Sequence, residues 1–456
     1  MTTYLILTLS GFIALFIIKS KRVYFFSLAE QSVGLLNDLL SEEEDDVKLE
    51  LLQTSTNKLV IILLKNVLLF VIALILAVIP IVIFNVVSTQ EINFTSWQSI
   101  LAVSIGASLP FFIPSKNKST SNYSELSQLL HRLALDNYTI GYKLFKRESR
   151  AALKKNSELD ENFLIVTGLA RAGTTSLLLG LQKSNSFSSL NYANMPFLMS
   201  PNTWKRIYNP KQSEQKERSH GDGIKIGLDS TEALEEYFFK LKDNDGFIEK
   251  NNLNEYNLSD EDYKDYLSYQ AIVKNGSDKI YLAKNNNFLL RYDSIRKRNK
   301  EFVTLILCRH PLYHAASLLE KHLFYSELQK EDPFVLEYMN WLGHHEFGNN
   351  QKVFEFENGV NFLNSDKSSL DYWLEVWMNY YKRVLQIEDE NTLVVTYEKF
   401  CSNPNKVIAS LFSKMNLQES SINLEAHNNT REVQLHYTNN LLKEAEAIYQ
   451  EIENKA

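Results

Sequence analysis

Cysteine is nearly absent: Cys308 and Cys401 are the two in 456 residues. Two thiols cannot build a disulfide framework, and the chain suits a reducing compartment. Positive charge is also short. The 48 Lys and Arg stand against 55 Asp and Glu, a formal net charge of -7, which argues against a general nucleic-acid binder. There is no internal repeat, no His-Glu-x-x-His and no other trustworthy metal-ligand spacing. What remains is a chain long enough for a large domain plus something else.

The first 114 residues differ in kind from the rest. Residues 4–18 are an apolar-to-neutral run followed at once by Lys19, Lys21 and Arg22. The run is short for a span. A secretory signal would carry its basic residues ahead of the run, and Met1–Tyr4 has none. It reads as an anchor whose C-terminal end is cytoplasmic. Residues 67–87 carry no charge and include Pro80, which membrane helices tolerate. Residues 97–113 are a third, weaker run, ended by Pro114 and followed by Lys116 and Lys118. Three spans with the N-terminus outside put both basic clusters in the cytoplasm. The alternative is two spans, with 97–113 lying in the interface. Between the first two runs, residues 22–57 read as helical, and the acidic run Glu42–Asp46 as a solvated face. Residues 115–160 read as a polar linker and a helix-like segment with leucines at 126, 129, 130, 133 and 135. The expected domains are therefore a membrane region (1–114), this linker (115–160) and a soluble domain (161–456).

From Asn162 onward strand-like and helix-like stretches alternate. Strands are expected at 163–167, 280–283, 302–308 and 393–396, and helices at 175–183, 231–242, 312–323, 370–386 and 403–415. Apolar strands without polar alternation predict a parallel α/β sheet covered on both faces. Residues 251–274, rich in Asp, Asn and Tyr, read as a helical insert or cap.

The chain is organised around Asn162–Leu181, NFLIVTGLARAGTTSLLLGL. A buried strand, a glycine-punctuated turn and a helix start make an anion cradle, because free N–H groups converge at the helix N-terminus. Arg171 adds a cation; Thr174 and Thr175 add hydroxyls. The nucleotide P-loop G-x-x-x-x-G-K-[ST] has lysine after its last glycine, and here Thr174 follows Gly173. A second strand, 302–308, ends in Arg309-His310-Pro311, with Ser317 further along the next helix. Both Arg309 and Ser317 can reach one phosphate.

The loop G-x-x-R-x-G-T-T resembles the 5′-phosphosulfate loop of sulfotransferases that use 3′-phosphoadenosine-5′-phosphosulfate (PAPS). Ala172 stands where serine is commoner in that family. R-x-P followed by serine, Arg309 to Ser317, resembles the family's 3′-phosphate motif. Leu393–Phe400, LVVTYEKF, followed by Asn403-Pro404, looks like its late strand and helix. The resemblance covers residues 162–417. It implies a three-layer, P-loop-like sulfotransferase domain behind a helical transmembrane region, in a membrane-anchored member of bacterial type. It implies PAPS as donor, PAP (3′-phosphoadenosine 5′-phosphate) as product and no metal. It assigns Arg171, Ala172, Gly173, Thr174, Thr175 and Ser176 to the 5′ group and Arg309 and Ser317 to the 3′-phosphate. Tyr397 either approaches the nucleotide or is a buried tyrosine with a satisfied hydroxyl. Arg431 lies in the tail, where some members close a glycine-rich loop; that form is missing here.

Sulfuryl transfer to a hydroxyl needs a base near neutral pH. The first candidate is His220 in Arg218–Gly223, with Asp222 to orient its ring. The neighbouring carboxylates Glu235 and Glu236 come second. Lys284, at the end of 280–283, is similar to a lysine of glycan sulfotransferases that helps the leaving group. His344-His345-Glu346 are adjacent, so on one helix they cannot all face one ion; they read as an acceptor-site wall or an ordinary loop. The expected protein is a multi-pass enzyme of the bacterial inner membrane with a cytoplasmic catalytic domain, acting on a glycan, lipid-linked glycan or lipid. The rivals are a P-loop nucleotide kinase and a non-catalytic membrane scaffold.

Overall fold

The computed structural model describes residues 2–40, 45–88, 92–113, 123–154, 159–208, 216–217, 225–226, 230–231, 233–357, 359, 362, 366–418, 422, 424–426 and 432–455. The chain divides into two compact units, Met1–Thr139 and Ile140–Ala456. The segment expected as a linker and one helix, 115–160, carries two helices, α5 (Glu125–Leu135) and α6 (Tyr138–Leu153).

The first unit contains α1 (Thr2–Ser20), α2 (Val23–Leu40), α3 (Asp45–Val87), α4 (Trp97–Phe112) and α5 (Glu125–Leu135). Among the described residues α1 and α3 are long and apolar enough to cross a membrane, and α4 is a shorter apolar helix. At ~1.5 Å per residue α4 spans about 24 Å and α3 about 64 Å, against a hydrocarbon thickness of about 30 Å. The N-terminal part of α3 lies along α2: Asn66 Nδ2 donates to the Tyr24 carbonyl at 2.9 Å, and Ser55 bonds Asp38. Helices α1 and α4 approach backbone to backbone. A Cβ on Gly106 would lie 1.9 Å from the Thr8 carbonyl, and one on Gly11 2.4 Å from that of Val103. Small residues at such a contact are how helices pack where no water drives them together. Lys19 Nζ donates to the Pro110 and Ile113 carbonyls at the end of α4, each at 2.6 Å. The two C-terminal ends therefore lie together, and α1 and α4 run in the same direction.

The second unit runs α6 (Tyr138–Leu153), β1 (Phe163–Thr167), α7 (Thr174–Gln182), β2 (Phe187–Ser188), α8 (Pro201–Ile207), β3 (Lys216–Glu217), β4 (Lys225–Ile226) and α9 (Glu236–Asp243). It continues β5 (Asn252–Asn254), α10 (Asp260–Lys274), β6 (Ile280–Lys284), α11 (Tyr292–Arg298), β7 (Val303–Cys308), α12 (Pro311–Glu331) and α13 (Pro333–Trp341). It ends β8 (Val353–Glu355), α14 (Leu370–Leu385), β9 (Thr392–Thr396), α15 (Tyr397–Ser402), α16 (Pro404–Lys414) and α17 (Asn439–Lys455). The main sheet has the order β2-β6-β1-β7-β9 and every pairing in it is parallel. The four expected strands are β1, β6, β7 and β9. The helix expected at 231–242 starts later, at Glu236, because Thr231 is held in a bridge to Asn191. The segment 251–274 opens as β5, paired with β8, before it becomes α10.

Both faces of the sheet are covered, as apolar strands without alternation require. On one face Leu164, Val166, Leu282, Leu305 and Leu307 pack with Leu177, Leu178 and Leu181 of α7 and Val407, Ile408, Leu411 and Phe412 of α16. On the other, Phe163 stacks on Phe302 at 4.8 Å and meets the edge of Tyr266 of α10 at 5.7 Å. Removing one fully buried leucine from such a layer costs on the order of 2–5 kcal/mol. The strands are thereby fixed, and their carboxyl ends are presented together at one edge.

Candidate functional site

In an open parallel sheet, ligands bind outside the carboxyl ends of the strands. Four adjacent ends here carry the residues singled out above. Strand β1 leads into Gly168–Gly173, β6 ends in Lys284, β7 leads into Arg309 and β9 into Tyr397. Registers Val166↔Lys284 and Thr167↔Ile306 set the first three level.

The β1–α7 loop is tightly folded. Gly168 has φ 143 and Gly173 φ 96, and Arg171 itself is left-handed at φ 74. A Cβ on Gly168 would lie 2.6 Å from the Leu307 carbonyl, and one on Gly173 2.5 Å from the ring of Tyr397. Glycine is required at both. Gly173 caps α7 without a side chain, which leaves the first-turn amides for a ligand. Ala172 is fully buried, so it offers only backbone; Thr174 and Thr175 are buried as well, and Ser176 is exposed.

Charged side chains come to this loop from two other strands. Lys284 Nζ donates to Thr175 Oγ1 at 3.0 Å. Arg171 Nε donates to Ser317 Oγ at 3.3 Å, which ties the first loop to α12. Arg309 Nη1 donates to the Arg171 carbonyl at 3.5 Å, and its guanidinium lies 4.9 Å from the centre of the Tyr397 ring, a cation–π contact. Burial pushes the Tyr397 phenol up to about 12, so it stays a neutral donor.

A layer of supporting side chains holds these strand ends. His314 Nε2 donates to the Ala170 carbonyl at 2.7 Å; burial pushes this imidazole down to about 3, so it is neutral. Trp377 Nε1 donates to the Arg309 carbonyl at 3.0 Å and Tyr381 to that of Leu307 at 2.7 Å. Glu398 Oε1 accepts from the His310 amide at 3.1 Å, and its Oε2 from Tyr449 at 2.8 Å. None of these residues was singled out from the sequence. The one local signal was the aromatic stripe 373, 377, 380, 381 of α14, which repeats at helical spacing.

The two carboxylates expected as second candidates for the base both lie in the interior. Glu235 is 2% exposed; its Oε1 accepts from Tyr266 at 2.7 Å and Tyr281 at 2.9 Å, and its Oε2 from Asn285 at 3.0 Å. Burial pushes its carboxyl up, against those hydrogen bonds. Glu236 gives both oxygens to Arg291, at 2.6 and 2.7 Å, and Arg291 stacks on Phe239 at 4.1 Å. Both are interior groups whose oxygens are already engaged. His220, Asp222 and Arg431 lie outside the described residues. Strands β3 and β4, which flank residues 218–224 in sequence, pair antiparallel with Lys216 opposite Ile226. Among the described residues no cluster of His, Cys, Asp and Glu has the makings of a metal site.

Fold and site together define an α/β parallel-sheet protein with cationic and hydroxyl side chains gathered at its carboxyl edge. No protein-family model matches the chain, and no curated protein does. Among solved structures it is similar to sulfotransferase STF1 from Mycobacterium tuberculosis H37Rv, with 12% identity, 74% of this chain and 86% of that one covered, and a TM-score of 0.36. It is similar to sulfotransferase STF9 from Mycobacterium avium, with 11% identity, coverages of 79% and 97%, and a TM-score of 0.38. A sulfotransferase from Alicyclobacillus acidocaldarius shares 16% identity, with coverages of 64% and 93% and a TM-score of 0.31. What this chain does has to be read from its own crevice.

Proposed function

We propose that the chain is a membrane-anchored sulfotransferase. It moves a sulfuryl group from PAPS to a hydroxyl or amine of a glycan, lipid-linked glycan or lipid. The observation that carries this reading is the meeting of Arg171, Arg309 and Lys284 with the hydroxyls of Thr175 and Ser317 around one open helix start. PAPS has two anionic ends, and this donor set answers both. The amides of Gly173 and Thr174, with Arg171, Thr174, Thr175 and Ser176, hold the 5′-phosphosulfate. Arg309 and Ser317 hold the 3′-phosphate, and Tyr397 flanks the nucleotide.

The chemistry is positioning plus neutralisation of charge on the leaving phosphate. Lys284, already on Thr175 at 3.0 Å, is aimed at the oxygen where that charge builds. No metal takes part in this scheme. His220 with Asp222 is the base proposed from the sequence. The domain division at about 1–114, 115–160 and 161–456, the multi-pass placement in a bacterial inner membrane and the cytoplasmic catalytic unit belong to the same proposal. A nucleotide kinase fits less well because no lysine follows Gly173. A non-catalytic scaffold would have no need to keep Arg171, Thr174, Thr175, Arg309 and Ser317 together.

Calorimetry of PAP with the full chain in detergent tests the donor, and a screen of glycan and lipid acceptors with labelled PAPS tests turnover. Saturable PAP binding is expected; its absence sinks the proposal.

A further inference from the structure

Residues 284–287 read Lys-Asn-Asn-Asn, and each asparagine is fastened to a different partner. Asn285 Nδ2 donates to Glu235, Asn286 Nδ2 to Glu346 Oε1 at 2.8 Å, and Asn287 Nδ2 to the Gly343 carbonyl at 2.9 Å. Two of these bonds run to residues 343–346, which are thereby tied to the carboxyl end of β6. Asn286 is also held from the sheet side, where Tyr380, bonded to Thr167 Oγ1 at 3.2 Å, lies 3.3 Å from its carbonyl. Asn286 is two positions along the chain from Lys284, a span of at most about 7 Å between Cα atoms.

In that loop His344 Nδ1 lies 3.4 Å from Glu346 Oε1. Catalytic contacts of this kind are often long before substrate arrives. Glu346 is enclosed, with its side chain 5% exposed against 22% for His344. Burial opposes ionisation of Glu346, yet its pairing with His344 and the hydrogen bond from Asn286 hold its carboxyl well below the ordinary range. Its Oε2 is shut off from solvent with no hydrogen-bond partner among the described residues. Such an orphan acceptor is costly and calls for a reason. His345 differs: its Nδ1 donates to the Asn350 carbonyl at 3.2 Å, and burial pushes it down to about 3.

We propose that His344, in place of His220, is the acceptor-side general base and that Glu346 is its positioning residue, an inference that rests on the sulfotransfer reading. Glu346 holds the proton on Nδ1, which leaves the lone pair on Nε2. The acceptor oxygen forms its bond to sulfur as the bond from sulfur to the 5′-phosphate oxygen breaks. The hydroxyl proton goes to His344 Nε2 and then to water. Lys284, at the same strand end, faces the departing phosphate. The segment that carries Lys284 thus also pins, through Asn286 and Asn287, the loop that carries His344.

The test uses the full chain in detergent, PAPS as donor and 2-naphthol as a probe hydroxyl. His344→Ala should lower turnover by about 10²–10⁴-fold while PAP affinity stays within about twofold. Added imidazole should restore part of the loss. Glu346→Gln should lower kcat about tenfold or more and leave KM for PAPS unchanged. Independently of turnover, PAP with 2-naphthol should slow modification of His344 by diethyl pyrocarbonate, read by mass spectrometry. Near-normal turnover of His344→Ala, with His220→Ala inactive, overturns the dyad and leaves the sulfotransfer reading standing. Failure of the unaltered chain to bind PAP overturns both.

Discussion

Arg309 is 8% exposed, lies over the ring of Tyr397 and has its own carbonyl tied by Trp377. Its guanidinium is therefore set in direction before a ligand arrives, and little conformational entropy remains to be lost on binding. If it reads the 3′-phosphate, Arg309→Ala should weaken PAP binding by about 1.5–3 kcal/mol, on the order of ten- to a hundredfold. Binding of adenosine 5′-phosphosulfate, which lacks that phosphate, should barely change. Equal losses for both nucleotides in calorimetry contradict the assignment. Gly173 makes a harder demand. At φ 96, with a Cβ position 2.5 Å from the Tyr397 ring, Gly173→Ala combines backbone strain with a clash. A loss of about 1–3 kcal/mol in stability and weaker PAP binding are expected. A wild-type melting profile with intact PAP affinity would contradict the close packing of loop and tyrosine.

At the scale of elements, α12 does two jobs: it carries Ser317, and through His314 it holds the β1–α7 loop at Ala170. His314 titrates near 6.5 in an unfolded chain but is pushed down to about 3 in the fold by burial. The unfolded state therefore takes up a proton first as pH falls. The stabilisation is present above about 6.5 and is lost between there and about 3. His345, also pushed to about 3, and His322, pushed to about 4, act in the same sense. Melting temperature should therefore fall between pH 7.5 and 5. His314→Gln, which keeps an N–H donor without titrating, should flatten part of that slope; an unchanged slope would remove His314 from the account. The elements themselves were largely legible. Strands β1 and β7 are apolar without alternation, and the glycines after β1 and the Pro311 after β7 mark where each chain turns. What local patterns do not carry is the destination of a side chain across the sequence. Glu235 and Glu236 look alike on paper, yet Tyr266, Tyr281 and Asn285 enclose one and Arg291 takes the other. The bond from Asn286 to Glu346 joins positions sixty residues apart, and α17 is anchored through Tyr449 to Glu398, beyond any periodicity argument.

On the scale of the whole molecule, the open question is which side of a membrane the crevice faces, and the helices of the first unit bear on it. Lys19 reaches the carbonyls of Pro110 and Ile113, and Gly11 lies against Val103. Helices α1 and α4 thus run the same way, with α3 connecting them. In the proposed three-span arrangement α1 and α4 would cross in parallel, with α3 returning between them. The three-span proposal requires α4, at about 24 Å, to cross a hydrocarbon layer of about 30 Å; thinning of the bilayer or snorkelling of its flanks would accommodate it. In sequence, Lys19, Lys21 and Arg22 stand at or just after the end of the first of these parallel helices and Lys116 and Lys118 follow the second. In the proposed topology the positive-inside bias would put these basic ends in the cytoplasm, where a PAPS-dependent enzyme would find its donor. A cytoplasm-active reporter fused after Ala456 should give signal, and the second unit should resist protease added to right-side-out cells. A protease-sensitive second unit in intact cells would mean an inverted or even-numbered topology, whatever the crevice binds. Exchanging Lys19, Lys21 and Arg22 for glutamine should then shift the orientation in a graded way, because α4 retains its own basic flank.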